Sequence, residues 1–84
     1  MVRNNTEAER FEIEMDGARA ILQYGIREGQ MTIYHTEVTP VFRGRGYGDM
    51  LARAALDYAR ENSLTVEPLC PFVRAWLDKH PEYQ

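Results

Sequence analysis

The chain has 84 residues, 44% of them hydrophobic and 27% charged, which excludes a disordered tail and describes one ordinary globular domain. At this size folding buries only roughly 60–65% of the unfolded surface, so one sheet and one or two helices can share a core but a deep site under its own lid cannot be built. The formal net charge is −3, and with no basic stripe no nucleic-acid partner is expected.

The opening, MVRNNTEAER, is polar and lacks the apolar core of a signal peptide. Residues 1–8 are expected to be disordered. No apolar run approaches membrane-spanning length, so no membrane association is expected and cytoplasm is the expected location. RFEIEMD (residues 10–16) then alternates strictly, with Phe11, Ile13 and Met15 on one side and Glu12, Glu14 and Asp16 on the other, the pattern of a half-buried antiparallel strand. Asp16-Gly17 signals a type I′ turn, and ARAILQYGIR (18–27) is the return strand. Gly25 inside it marks a bulge or a close approach by another group. REGQ turns the chain into a third strand, MTIYHTEV (31–38), rich in β-branched and aromatic residues.

Next comes VFRGRGYG, with Gly44, Gly46 and Gly48 at alternate positions and arginines at 43 and 45. After it GDMLARAALDYAREN (48–62) carries Leu51, Ala54, Ala55, Tyr58 and Ala59 at helical spacing, with Asp49 early and Arg60 late as the helix dipole favours. LTVEPLC (64–70) reads as a fourth strand whose end, at Pro68, splays from its neighbour. Pro71 opens a second helix, PFVRAWLDKH, which Pro81 closes. The order is β-β-β-α-β-α: an α+β fold in which an antiparallel three-stranded meander leads through a β-α-β crossover into a mixed sheet, with a C-terminal helix. Residues 1–84 form one domain.

Three readings of the glycine stretch compete. A plain turn needs one or two glycines, not three. An RNA-binding Arg-Gly tract needs repetition in a disordered basic context. A loop at the carboxyl end of a strand that opens a helix exposes amide N–H groups at the positive end of the helix dipole, and anions bind there. No Gly-Lys-Ser/Thr follows, and the spacing is G-x-G-x-G rather than that of the dinucleotide fingerprint.

Arg43-x-x-Gly46-x-Gly48 resembles the R/Q-x-x-G-x-G/A signature of the GNAT superfamily of N-acetyltransferases, and VTPVFRGRGYG is similar to that family's strand-to-loop segment. PLCPF (68–72), the residues His35, Thr36, Glu37 and Val38 before the loop, and the terminal HPEY resemble a compact GNAT-like family of about this length. The resemblance spans residues 9–83. It implies a GNAT-like fold with acetyl-coenzyme A or coenzyme A as ligand, and an amine acceptor, protein or small molecule, that the sequence does not identify. It implies that Arg43, Gly44, Arg45, Gly46, Tyr47 and Gly48 hold the cofactor's diphosphate and that backbone groups of Val38 meet the pantetheine arm. Fuller members of the superfamily insert helices between the first two strands to wall the acceptor pocket, where this chain has only Asp16-Gly17. Many also carry a tyrosine on the last helix, where this chain offers Leu77.

Cys70 is the lone cysteine, so no internal disulfide forms. It precedes a helix opened by Pro71, a setting that lowers a thiol's pKa. It either accepts the acyl group, as in ping-pong transfer, or lines the site. His35 and Glu37 share a face just before the loop and are candidate bases, for an incoming amine or for Cys70; Tyr34 and Thr36 read as sheet residues. The leading reading is an N-acetyltransferase, monomeric or weakly dimeric. The alternative is a module that binds coenzyme A or a protein without turnover.

Overall fold

The structure, a computed structural model, describes residues 2–15, 17–40 and 44–83. Asp16 of the first turn and Arg43 of the glycine stretch lie outside the described residues. The elements are β1 (Arg3–Asn5), β2 (Arg10–Met15), β3 (Ala18–Arg27), β4 (Gln30–Val38), α1 (Tyr47–Glu61), β5 (Thr65–Pro68), α2 (Pro71–Asp78) and a 3₁₀ turn (Pro81–Tyr83). They form one mixed sheet in the order β1-β2-β3-β4-β5, antiparallel from β1 to β4 and parallel between β4 and β5. The fold is GNAT-like, as the resemblance implies.

One expectation is corrected at the start of the chain. Residues 1–8 are not disordered along their length, because residues 3–5 add a fourth antiparallel strand against β2. The cause is a buried hydroxyl. Tyr24 is only 3% exposed, and its Oη–H needs an acceptor there. Asn4 Oδ1 supplies it at 2.7 Å. Nothing in a polar run such as VRNNTEAER announces that a distant tyrosine will need it.

The hairpins follow local chemistry. Met15 pairs with Ala18 across the first turn, and Gly17 takes φ +78°, the left-handed backbone that a two-residue turn demands. On β2 and β3, alternate residues Phe11, Ile13, Ala20, Leu22 and Tyr24 point to one face, where α1 contributes Leu51, Ala52, Ala55, Leu56 and Ala59, and α2 contributes Val73 and Trp76. Both helices pack on this face. The other face carries Glu14, Arg19 and Gln23, and it stays open to solvent apart from Ile21.

The third hairpin contains the irregularity that matters. Leu22 pairs with Thr36 and Gln23 with His35, but Tyr24 pairs with Ile33. Tyr34 is therefore an extra residue, a bulge in β4. Its ring folds over Gly25 on the open face, where a Cβ on that glycine would stand 3.2 Å from the ring. Gly25 thus marks a close approach, one of the two alternatives its place in a strand suggested; it pairs regularly with Thr32, and the bulge lies in the partner strand. β5 pairs with β4 only through Ile33↔Pro68. Beyond that point the Ile33 carbonyl accepts from the amides of both Leu69 (3.0 Å) and Cys70 (3.1 Å). The rest of β4 continues to Val38 without β5, leaving a notch between the two strands.

Removing the acceptor under Tyr24 tests the account of β1. Asn4→Ala leaves a buried hydroxyl unpaired and is expected to cost about 1–3 kcal/mol in urea denaturation. Adding Tyr24→Phe to that variant removes the orphaned group and should recover most of the loss.

Candidate functional site

The site is built where β4 gives way to α1. Thr39 secures the strand end: its Oγ1–H donates to the Arg19 carbonyl at 2.6 Å, and its amide reaches the same carbonyl at 3.2 Å. Past it, Gly44 (φ +81°) and Gly46 (φ +76°) both take left-handed backbone. Gly46 is the N-cap of α1 and brings no side chain to cap it. The Met50 amide closes on the Gly46 carbonyl at 3.0 Å, so the amides of Gly48 and Asp49, ahead of it, have no carbonyl within the helix to serve. A Cβ on Gly44 or Gly46 would meet nothing within 4 Å. These two residues are glycine for their backbone angles and, among the described residues, leave open space where an external group can approach.

Gly48 has a different reason. A Cβ there would come within 2.8 Å of the Phe72 ring. The glycine lets α2's first turn lie against the start of α1, and Phe72, 44% exposed, becomes a wall. The result is a groove of about 450 Å³ running from Val38 past the glycines toward Lys79 and His80 at the end of α2. Tyr47, Gly48, Asp49, Phe72 and Trp76 also line it. The exposed amide donors at the start of α1 are of the kind that holds an anionic group. Arg45 lies exposed on the loop.

α2 is tied to α1 beside this groove. The Trp76 Nε1–H donates to Asp49 Oδ1 at 2.7 Å, and Arg53 lies 3.6 Å from the same oxygen. His80 stacks on Trp76 with ring centroids 3.8 Å apart. Its Nδ1 carries the proton that bonds the Trp76 carbonyl at 2.7 Å, since a carbonyl only accepts. Tyr83 Oη–H donates to Asp57 at 2.8 Å, fastening the chain end to α1.

Cys70 is the N-cap of α2 and is 4% exposed. Its Sγ lies 3.4 Å from Thr36 Oγ1. Burial pushes the thiol's pKa up, but the Thr36 hydroxyl and the amides of Val73 and Phe72 favour the thiolate and together bring it below the ordinary thiol value. Thr36, read from the sequence as a sheet residue, is the sulfur's direct partner.

The bulge separates the remaining candidates. Thr36 and Val38 are in register with Leu22 and Ala20 and so point to the helix face, with Cys70. His35 and Glu37 are in register with Gln23 and Ile21 and point to the open face. His35 Nε2 and Glu37 Oε2 are 3.3 Å apart, both solvent-accessible. The structure therefore does not support His35 or Glu37 as a base for Cys70, because the sheet lies between them. A second groove of about 410 Å³ on the open face is lined by Glu14, Gly17, Ala18, Arg19, Ile21, Glu37 and Thr39. Sequence reading missed Asp49, Phe72, Trp76, Lys79 and His80 as groove residues. The HPEY stretch, read only as a helix stop and packing anchor, begins with one of them.

Comparisons with known proteins show the family and agree with the fold. A family model described as GCN5-related N-acetyl-transferase matches residues 10–84. The proteins called NATD1 of Xenopus tropicalis and Homo sapiens are each 30% identical over 83 residues, 95% of this chain and 76% and 74% of theirs. The solution structure of a GCN5-like protein from Staphylococcus aureus superposes with a TM-score of 0.80 at 30% identity, covering 100% of this chain and 83% of that one.

Two measurements check the site's physics. Gly44→Ala and Gly46→Ala should each cost about 1–2 kcal/mol from left-handed strain alone. Gly48→Ala should change stability by less than about 1 kcal/mol, helix propensity offsetting the displaced Phe72 ring. Followed by thiolate absorbance, Cys70 should ionise at a pH below that of an ordinary cysteine. Thr36→Val should move the midpoint upward, since the donor that favours the thiolate is gone.

Proposed function

The chain belongs to the GCN5-related N-acetyltransferase family, and from that premise we propose that it binds acetyl-coenzyme A along the groove and passes the acetyl group to an amine. The observation that carries the reading is the pair of left-handed glycines, Gly44 and Gly46, standing clear of the protein at an uncapped helix start. Amides from Gly44 through Gly48 would hold the diphosphate, with Arg43 and Arg45 adding charge. Backbone groups of Val38 would meet the pantetheine arm, since β4 has no partner strand on that side past Ile33. The thioester then belongs at the notch.

An amine arriving over the open face carries a proton at neutral pH and must lose it before its nitrogen can attack. His35 and Glu37 stand on that face, and either can take the proton. The nitrogen forms a bond to the thioester carbonyl carbon, the carbon–sulfur bond breaks, and coenzyme A leaves as the thiol once its sulfur is protonated. Cys70 borders the notch from the helix side. Its favoured thiolate could instead accept the acetyl group first, releasing coenzyme A, and then yield it to the amine.

A second reading, coenzyme A binding without turnover, draws on one observation. β2 and β3 join by a two-residue hairpin, so no inserted helices wall the acceptor side.

Titration with coenzyme A and acetyl-coenzyme A tests the binding. Amide resonances of Gly44, Arg45, Gly46 and Gly48 should shift, and silence at millimolar ligand would end the proposal. With an amine panel, turnover should fall about 10²- to 10⁴-fold in the double variant His35→Ala, Glu37→Gln; no turnover by the unaltered protein favours the second reading. An acetyl adduct in the mass spectrum that disappears in Cys70→Ala would select the covalent route, and its absence the direct one.

A further inference from the structure

The groove does not end at the glycines. α2 lies along it, from Phe72 beside Gly48 to Lys79 and His80. Lys79 lies nine positions after Cys70, a span of roughly 13 Å at helical rise. A ligand with its thioester at the Cys70 end and its diphosphate on the glycines has its nucleotide portion at the opposite end, beside α2's last turn.

The charges at that end are specific. Lys79 is the chain's only lysine, on a protein of net charge −3, and it is exposed at the C-cap of α2. No ion pair to it is formed among the described residues. Asp49, the acidic group facing this part of the groove, is engaged by Trp76 Nε1 at 2.7 Å and approached by Arg53 at 3.6 Å. Its charge is partly offset before any ligand arrives. His80 is held flat on Trp76 with its Nδ1–H bound to a carbonyl and its Nε2 turned toward Asp49 Oδ1 at 3.9 Å, so its ring serves as a wall. The packing thus holds the imidazole at the rim next to the lysine.

We propose that Lys79, beside the His80 ring that walls the groove there, forms a second anion site in the groove, distinct from the glycine loop, that recognises the ribose 3′-phosphate of coenzyme A. The inference rests on the binding reading above and adds a selectivity to it: the protein distinguishes coenzyme A from its 3′-dephospho form. Lys79 is a specificity residue with no part in the transfer itself.

Calorimetric titration of the intact protein with coenzyme A and with 3′-dephospho-coenzyme A provides the test, with the glycine-loop amides followed by NMR in parallel. Coenzyme A should bind about three- to tenfold more tightly, the range for one charge-assisted contact at a solvent-accessible rim. Lys79→Ala should bring the two affinities together, and Lys79→Arg should restore most of the difference. Because Lys79 is the sole lysine, its acetylation by acetic anhydride gives an independent signal: coenzyme A should protect it and 3′-dephospho-coenzyme A should not. Equal binding of both ligands, with the loop amides shifting, overturns the second anion site and leaves the cofactor reading standing. If neither ligand shifts those amides at millimolar concentration, both fall.

Discussion

One carbonyl organises this molecule. Ile33 sits at the last paired position between β4 and β5, and its oxygen receives the amides of both Leu69 and Cys70. That double acceptance ends β5 and turns the chain directly into α2. In β4, Tyr34 follows as an extra residue relative to β3. A bulge bends its strand and raises the local twist, so the remainder of β4 departs from β5. The notch, the placement of Cys70 at a helix start, and the assignment of side chains to two faces all follow from this short segment. Without the bulge, strict alternation from Ile33 would put His35 and Glu37 on the helix face and Thr36 and Val38 on the open one.

The glycine loop depends on the same strand. Its donors are useful only if they are held still, and two attachments do this. Thr39 locks the end of β4 to Arg19, and Phe72 abuts Gly48 at the start of α1. The second contact explains why alternate glycines serve unlike ends. Gly44 and Gly46 relieve backbone strain at positive φ, whereas Gly48 relieves a steric conflict between two helices. A single motif therefore encodes both the cradle and its wall.

Features set by neighbours in sequence were legible. The alternation in residues 10–16, the Gly17 turn, the helical spacing after Gly48 and the interruption at Pro68 each reflect a local rule, and each element formed where that rule put it. The location of the glycine stretch between strand and helix was readable for the same reason. Features set by distant partners were not. The β1 strand exists because Asn4 meets Tyr24, twenty positions away. The bulge appears only in how β4 pairs with β3, and nothing in MTIYHTEV distinguishes it from a regular strand. Thr36 looked like an ordinary strand threonine until the crossover delivered Cys70 to it. Lys79 and His80 join the groove only because Trp76 and Asp49 fix how α2 lies on α1.

The small size of the chain has a consequence for where selectivity can reside. Recognition needs surfaces that surround a ligand, and on the open face the groove beside the two-residue hairpin is lined, among the described residues, by the sheet and that turn alone, with Glu14, Arg19 and Glu37 as its charged groups. The helix face differs: two helices, a strand end and a loop converge on one groove, and their mutual hydrogen bonds fix its walls. The helix-face groove is therefore the one whose walls several elements fix together. On the proposed reading, affinity for the long, multiply charged acyl carrier positions the thioester, and the amine need only reach an already oriented carbonyl. Such an arrangement tolerates the loss of an acceptor wall, because positioning one reactant firmly supplies part of the orientation that a two-walled site would divide between both. On the same reading Lys79, at the far end of α2 and roughly 13 Å from Cys70 at helical rise, would act on the depth and direction in which the carrier lies, not on the bond that breaks.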